Sequence, residues 1–428
     1  MSRQTLQADL TWIDGAFVAD STVTIGTDGR IESVGRAAGG SVRRLQGIAL
    51  LPGFVNTHSH AFQRGLRGSG ERFPTGAGSF WSWREAMYAL VSTVDRRLLG
   101  ELCRRAFAEM RNAGFTSVGE FHYLHHDAEG DFAFDDVVLE AAADVGIRLV
   151  LLQSYYAAGG LGRALEPGQR RFATLDLGAY WRQVDRLSQR LDHATQSLGV
   201  AAHSVRAVGL AEIKALHSEA ARRGLPFHMH VEEQRREIEE TVAAYGRTPM
   251  RLLCDELEEG GSLTAVHCTH TSPEDMARFL GRGGGVCVCP LTEANLGDGV
   301  PDLRAADAAG GRLSLGTDSN ARISAIEEMR WLEYGQRLRG ELRGALAVPG
   351  GDVAVTILDA ATSGGAAALG LAAGKIAPGR WADLAAVDLA APPLAGIAPG
   401  GLLAAIVFGG GNAVIAGTFV GGKWREAD

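Results

Sequence analysis

The sequence predicts an α/β protein: a (β/α)8 barrel of the TIM type, joined to a small β-sandwich-like domain that both chain termini build. Apolar segments recur through the middle of the chain, amphipathic stretches lie between them, and both ends alternate in short β-like pieces. At 428 residues the chain is long enough for a barrel with an appended domain.

Eight apolar segments alternate with helix-like stretches through the middle of the chain. Because these segments are apolar throughout, they are typical of strands buried on both faces of a parallel sheet. Residues 95–114, 180–199 and 274–284 carry apolar side chains at spacings of three and four, which predicts helices. This alternation predicts a closed barrel. The eight segments are 49–58, 115–123, 147–156, 199–206, 225–233, 263–270, 284–293 and 312–320.

The two ends of the chain have a different pattern. Residues 7–48 and 375–428 alternate in short β-like pieces separated by turn glycines. Neither end has enough strands to bury a sheet face by itself. We therefore expect residues 1–51 and 375–428 to pair into one composite β domain, beside a barrel formed by residues 52–374.

Composition excludes several classes of partner. The net charge of −8 leaves no basic surface for nucleic acid, and no run of 18 apolar residues predicts a membrane span. The five cysteines are odd in number and include no CxxC pair, which is unlike a secreted disulfide framework. These features predict a cytoplasmic protein that acts on a small molecule.

Histidine and aspartate mark the ends of several predicted strands. His58 and His60 are two residues apart, so their side chains point to the same side of an extended chain. His230, His267 and Asp318 end the fifth, sixth and eighth predicted strands. An isolated His-x-His is more often a hydrogen-bonded pair, but barrels of this kind keep their active sites at the carboxyl ends of the strands. The convergence predicts a metal site.

Four motifs, PGFVNTHSH, HMHVEEQ, AVHCTH and LGTDSN, resemble the metal motifs of the amidohydrolase superfamily in order and spacing. The resemblance implies one divalent ion bound by His58, His60, His230 and Asp318. The implied ion is zinc, with iron(II) as the alternative that the same ligand types suit.

Lysine placement bears on the number of ions. Two-metal amidohydrolases commonly carry a carboxylated lysine at the end of the fourth strand. The chain has only three lysines, Lys214, Lys375 and Lys423, and none of them ends the fourth predicted strand. The sequence therefore favours a single ion.

A carboxylate follows one of the ligand histidines. Glu233 lies three residues after His230, where it can take a proton from water and hand it to a leaving nitrogen. Glu232 is the adjacent alternative. Resemblance to the single-metal deaminases, in which His-x-x-Glu recurs, favours Glu233. It also implies that Asp318 assists as a base toward the water and that His267 polarises or orients the water.

Further segments resemble one family more closely. HSHAFQRGLRG, FWSWREAMY, EFHYLHH, HSVRAVG and PLTEANLGDG resemble formimidoylglutamate deiminase, also called N-formimino-L-glutamate deiminase. The resemblance implies hydrolysis of N-formimidoyl-L-glutamate to N-formyl-L-glutamate and ammonia by metal-activated water, in histidine degradation, by a homodimer. The substrate contacts that it implies are Gln63, Arg84, Tyr123, His203 and Arg206.

Two other classes remain open. Trp81 and Trp83 can stack on an aromatic substrate, which fits a mononuclear-metal deaminase or chlorohydrolase acting on a purine, nucleoside or triazine ring. A catalytically inactive barrel is the third class, and the complete set of ligands argues against it. The histidines of EFHYLHH outside the proposed contacts are expected in a hydrophilic loop.

Overall fold

Two sheets form the architecture of the chain, as the sequence predicts. The computed structural model describes residues 2–35, 41–69, 71, 73, 76, 78–128, 130–258, 262–304 and 312–427. Its strands are β1 Gln4–Ile13, β2 Ala16–Ala19, β3 Thr22–Ile25, β4 Ile31–Gly35, β5 Val42–Pro52, β6 Phe54–Ser59, β7 Phe115–His122, β8 Arg148–Tyr155, β9 Gln196–Ala202, β10 Phe227–Val231, β11 Leu263–His267, β12 Gly285–Val288, β13 Arg312–Leu315, β14 Leu384–Asp388, β15 Ile415–Val420 and β16 Lys423–Glu426.

Strands β6 to β13 form the barrel, and each is hydrogen-bonded to the next in chain order. Each predicted apolar segment overlaps one of these strands, which confirms the barrel. Most of their residues are buried, which explains the continuous apolar runs.

Helices connect the barrel strands and cover the outside of the barrel. None of those in the described part of the chain has the length and apolarity needed to cross a bilayer. The helices are α1 Phe80–Thr93, α2 Arg96–Asn112, α3 Ala133–Val145, α4 Leu177–Ser188, α5 Leu210–Arg223, α6 Arg235–Tyr245, α7 Pro249–Glu256, α8 Pro273–Gly281, α9 Pro290–Leu296, α10 Ala325–Gly340, α11 Val353–Asp359, α12 Gly365–Ala368 and α13 Pro399–Gly409.

One predicted helix is too long. The sequence predicts a helix over residues 180–199, but α4 ends and β9 begins within that range. The carboxylate of Asp192 accepts the N–H of Ala194 at 3.1 Å and the hydroxyl of Thr195 at 3.0 Å. Such local bonds offer the backbone an alternative to the helix. The spacing of apolar residues does not reveal this turn.

The barrel closes where its first strand meets its eighth. The N–H of Asp318 donates to the carbonyl of His58 at 3.0 Å, and the N–H of His60 donates to the carbonyl of Asp318 at 2.9 Å. Gly316 permits this approach, because a Cβ there would lie 2.7 Å from the carbonyl oxygen of His58. Three predicted metal ligands therefore lie at the closure.

The second sheet joins the two termini in the order β16-β15-β14-β5-β1-β3-β4, with β2 paired to β1. Strand β1 pairs with β5 in parallel, whereas β14 pairs with β5 antiparallel. Leu50 and Leu384 pack in the core of this sheet, whereas their neighbours Leu51 and Ala385 pack in the barrel core. One face of the terminal sheet thus covers the barrel.

A buried ion pair connects the two sheets. Arg148 Nε lies 2.6 Å from Oδ2 of Asp383, and Arg148 Nη2 lies 3.1 Å from Oδ1. The two side chains are only 3% and 1% exposed. The guanidinium also lies over the ring of Trp381, 4.1 Å from its centroid. This pair fixes strand β8 of the barrel to the start of β14.

We expect Asp383→Ala to lower the free energy of unfolding by about 3–5 kcal/mol, because Arg148 is left buried without its counter-charge. Urea unfolding followed by circular dichroism measures the loss. Asp144→Ala is the control: Asp144 pairs with Arg104, and these side chains are 60% and 42% exposed. The control should lose less than about 1 kcal/mol. Equal losses of unfolding free energy in the two variants would contradict the role of the Arg148–Asp383 pair in joining the two sheets.

Candidate metal centre and active site

Four predicted ligands converge at the carboxyl ends of the barrel strands. His58 and His60 lie at the end of β6, His230 in β10, and Asp318 after β13. The Nε2 atom of His58 is 3.0 Å from Oδ1 of Asp318 and 3.1 Å from Nε2 of His230. The Nε2 atom of His60 is 3.2 Å from the same carboxylate oxygen and 3.3 Å from Nε2 of His230. All four side chains are buried.

The imidazoles present lone pairs to the centre of this cluster. Nδ1 of His60 donates to the carbonyl of Phe121 at 2.8 Å, and Nδ1 of His230 donates to the carbonyl of His203 at 2.9 Å. These bonds leave the Nε2 atoms unprotonated. Burial lowers the pKa of each ligand histidine, that of His58 to about 3. The imidazoles are therefore neutral, as metal ligation requires.

The cluster fits a divalent ion. Lone pairs this close repel one another unless a cation lies between them. In a tetrahedral zinc site with bonds of about 2.0–2.1 Å, ligand atoms lie about 3.3–3.4 Å apart. The separations of 3.0–3.3 Å are close to that spacing. Three neutral nitrogens and one carboxylate are the donors that zinc or iron(II) accepts.

His267 lies beside the ligand cluster at the end of β11. Its ring stacks on that of His230 with centroids 5.6 Å apart, and its Nδ1 is 3.3 Å from Oε1 of Glu293. Burial lowers the pKa of His267, but the carboxylates of Glu233, Glu293 and Asp318 outweigh burial and raise that pKa to about 10. Sequence reasoning missed Glu293, although an acid in the first turn after the seventh strand was a usable signal.

The adjacent glutamates have different surroundings. Glu233 lines the cleft above the ligands and approaches Nη2 of Arg206 to 3.5 Å. Glu232 accepts the N–H of Met250 at 2.8 Å and is not among the described residues that line this cleft. Burial raises the pKa of both carboxyls. Of the two, Glu233 is the one that can reach a molecule bound in the cleft.

A cleft lies above the four metal-ligating side chains. Its volume is about 780 Å³ when the space at its open mouth is included. All five predicted substrate contacts line it: Gln63, Arg84, Tyr123, His203 and Arg206. Nε2 of Gln63 donates to the hydroxyl of Tyr123 at 2.6 Å. The amide oxygen of Gln63 is buried and has no hydrogen-bond partner among the described residues, so it can accept from a ligand.

Two arginines bring positive charge to the cleft. Nε of Arg84 donates to the hydroxyl of Tyr88 at 2.5 Å. Arg206 approaches two carboxylates: its Nη2 is 3.5 Å from Glu233, and its Nε is 3.5 Å from Glu237. These contacts leave other N–H groups of both guanidiniums available for an anionic ligand.

Aromatic residues outside the predicted set also line the cleft. Tyr88 and Tyr156 both accept a hydrogen bond from Nε2 of Gln169, at 3.1 and 2.9 Å. Tyr156 follows the third barrel strand, where its apolar neighbours made it look like a core residue. Trp81 and Trp83, which the sequence did single out, line the same cleft.

A second cluster of metal-ligand types, His122, His125 and Asp135, lies outside the cleft. The expectation of a hydrophilic loop is wrong, because the histidines of this segment are buried. Asp135 accepts four side-chain donors, and the two amides among them occupy lone pairs that a metal would need. The donors are His122 Nε2 at 3.0 Å, His125 Nδ1 at 2.9 Å, Gln153 Nε2 at 2.7 Å and Gln183 Nε2 at 2.6 Å.

A parallel barrel with three imidazoles and a carboxylate at the carboxyl ends of its strands defines a metal-dependent hydrolase. Residues 49–425 match the model of the amidohydrolase family. The chain belongs to this family, as its motifs indicated.

Several proteins of named activity or known structure are similar to this chain. The chain is 38% identical over 411 residues to formimidoylglutamate deiminase of Pseudomonas aeruginosa, covering 94% of the chain and 90% of the relative. It is 29% identical over 346 residues to 5-methylthioadenosine/S-adenosylhomocysteine deaminase of Halalkalibacterium halodurans, covering 76% and 69%. The crystal structure of an amidohydrolase from Brucella melitensis matches with a TM-score of 0.90 at 33% identity, covering 99% and 94%. The resemblance to formimidoylglutamate deiminase is confirmed.

We expect His230→Ala to lose its bound metal, as measured by plasma mass spectrometry of protein purified without chelator. The drop in affinity should exceed the roughly 10–100-fold that loss of an outer partner costs. His228→Asn is the control, since His228 lies on the same strand but donates to the carbonyl of Ala368 at 2.9 Å. Full metal content in His230→Ala would contradict the assigned centre.

Proposed function

We propose that the chain hydrolyses N-formimidoyl-L-glutamate to N-formyl-L-glutamate and ammonia, in histidine degradation. The observation that carries this proposal is that Arg84 and Arg206 line the same cleft as the metal-ligand cluster. The relative from Pseudomonas aeruginosa, which bears the name of this activity, supports it.

The substrate matches the polar groups of the cleft. It carries two carboxylates, which guanidinium groups bind through paired N–H donors. Arg84 and Arg206 provide such donors, and Gln63, Tyr123 and His203 provide neutral hydrogen-bonding groups between them. The formimino head carries N–H donors, which suit the carboxylate of Glu233. In this arrangement the head lies over the ligand cluster and the carboxylates lie at the arginines.

The side chains of the cleft carry the protons of the reaction. When bound, the divalent ion lowers the pKa of a water molecule and so supplies the nucleophile. Glu233 takes a proton from the attacking water, with Asp318 assisting as a base, and delivers it to the imino nitrogen. The carbon–oxygen bond forms and the imino nitrogen becomes an amino group. Glu233 then carries the second proton, from the new hydroxyl group, to that nitrogen; the carbonyl of the formyl group forms, the bond to the nitrogen breaks, and ammonia leaves. His267 donates its N–H to orient the water.

We infer that the centre holds a single ion and that this ion is zinc, with iron(II) suited to the same donors. Lys214 lies in α5 and pairs with Glu256 at 3.1 Å, while Lys375 and Lys423 are exposed. None of the three stands at the end of β9, where a lysine bridging two ions would lie. This placement supports one ion.

We also infer a cytoplasmic homodimer. The assembly follows from the resemblance to formimidoylglutamate deiminase. The five cysteines of the chain are all free and buried, which suits a reducing compartment.

A second candidate is deamination or dechlorination of a nitrogen heterocycle such as a purine, nucleoside or triazine. Phe80, Trp81 and Trp83 line the cleft and could stack on such a ring. The nucleoside deaminase relative at 29% identity supports this candidate. A flat neutral ring, however, carries no carboxylate for the N–H groups of the two arginines that remain available in the cleft.

A substrate panel separates the two candidates. We expect metal-loaded protein to release ammonia from N-formimidoyl-L-glutamate and not from guanine, 5′-methylthioadenosine or a chlorotriazine, because only the first carries carboxylates for the arginines. Ammonia is measured together with the mass of the product, which distinguishes loss of ammonia from loss of formamide. Ammonia release from a purine alone would refute the proposal.

Replacing each adjacent glutamate tests the assignment of the proton carrier. We expect Glu233→Gln to lower kcat by roughly 10²–10⁴-fold, because an amide cannot shuttle the proton. Glu232→Gln should keep near-normal turnover, since Glu232 faces the backbone of Met250. Steady-state kinetics with N-formimidoyl-L-glutamate measures both. The opposite ranking would make Glu232 the proton carrier.

A further inference from the structure

Glu237 is a buried acid that the reaction itself does not use. It lies in the first turn of α6, is 0% exposed, and neither of its carboxylate oxygens has a hydrogen-bond partner among the described residues. Burying a carboxylate without a cation beside it costs on the order of several kcal/mol. The positively charged side chain beside Glu237 is that of Arg206, whose Nε is 3.5 Å from Oε2 of Glu237.

Arg206 is shared between two glutamates. Its Nη2 is 3.5 Å from Oε2 of Glu233, and the Arg206 side chain is only 12% exposed. Close charge-assisted hydrogen bonds measure about 2.7–2.9 Å. Both contacts of Arg206 are longer, so neither glutamate holds the guanidinium as tightly as a substrate carboxylate could.

We propose that Glu237 is a positioning residue that holds Arg206 where a substrate carboxylate can draw it away from Glu233, leaving Glu233 free to transfer protons. The inference rests on the proposed function, because it requires a carboxylate-bearing substrate. In this proposal, binding of the substrate carboxylate at Arg206 promotes proton transfer by Glu233 at the formimino group.

Electrostatics gives the direction of each step. A guanidinium beside Glu233 stabilises the carboxylate and weakens it as a base. A substrate carboxylate that binds Arg206 through two N–H groups competes for that guanidinium and relieves Glu233. Glu237 holds the guanidinium at Nε, next to the Nη2 atom that approaches Glu233. Without its charge, Glu233 is the carboxylate nearest to Arg206 and keeps it.

Stability alone does not account for Glu237. Buried ion pairs roughly balance their Coulomb attraction against desolvation, so an apolar side chain of similar size would serve the core as well. A charge at this position is better explained by its effect on Arg206, which lines the cleft.

The test uses the whole metal-loaded protein and two substrates. N-Methylformamidine has the reacting head but no carboxylate, so glutarate can fill the arginine side of the cleft separately. For the wild type we expect glutarate to raise kcat for N-methylformamidine about 10-fold. Assays at pH 8.5 keep Glu237 ionised, because burial raises its pKa only to about 7.

Substitutions in α6 distinguish a positioning role of Glu237 from a purely structural one. We expect Glu237→Gln to lower kcat for N-formimidoyl-L-glutamate about 10–100-fold and to abolish activation by glutarate. Glu237→Asp, which keeps the charge, should recover part of both. Glu239→Gln removes an exposed carboxylate from the same helix and should change neither.

Each outcome decides the inference. If the wild type releases no ammonia from N-formimidoyl-L-glutamate, the proposed function and this inference fail together. If it does, but Glu237→Gln keeps kcat and glutarate activation, or loses only thermal stability, this inference alone is overturned. Should Glu237→Gln not fold, absence of glutarate activation in the wild type overturns it, and activation that Glu237→Asp weakens supports it.

Discussion

The hydrogen bonds that close the barrel also hold the metal ligands in place. Asn56 accepts the N–H of Thr317 at 3.0 Å and donates to its hydroxyl at 2.7 Å, so its side chain ties the first strand to the eighth. Asn320 donates to the carbonyls of His60 and Asp318 at 3.1 and 3.0 Å. These side-chain bonds add to the backbone hydrogen bonds that the same groups already make, such as that from the N–H of His60 to the carbonyl of Asp318. The residues that close the barrel include three of the four metal ligands. Any shift between the first and eighth strands therefore moves these three ligands relative to His230.

For the proposed dicarboxylate substrate, the charges that act at close range are those of the cleft rather than the charge of the whole chain. A net charge of −8 repels a dicarboxylate at long range. Within the cleft, Arg84 and Arg206 place positive charge near the metal-ligand cluster, where burial reduces screening. Glu233 and Glu237 each lie 3.5 Å from the guanidinium of Arg206. In the proposed role of Glu237, these acids keep Arg206 within reach of a substrate carboxylate.

The sequence predicted the barrel and the convergence of the ligands, because buried parallel strands and residues at strand ends leave local patterns. It could not reveal Glu293 behind His267 or Gln169 between two tyrosines, since those contacts join distant segments. The histidines around Tyr123 were misread because their partners lie outside that segment. His122 and His125 bond Asp135 on the following helix, and Nε2 of His126 donates to the carbonyl of Ala173. The turn at Asp192, between the end of α4 and the start of β9, was missed because side-chain hydrogen bonds stabilise it and apolar spacing does not reveal them.

The terminal sheet orders events during synthesis. Strand β5 leaves the ribosome early, yet its antiparallel neighbour β14 is translated only after the whole barrel. Until then β5 has an open edge, and contacts so distant in sequence form slowly. Arg148 likewise waits for Asp383 to neutralise it. The barrel strands can pair in the order in which they are synthesised. The chain reaches its final stability only after β14, β15 and β16 have been synthesised.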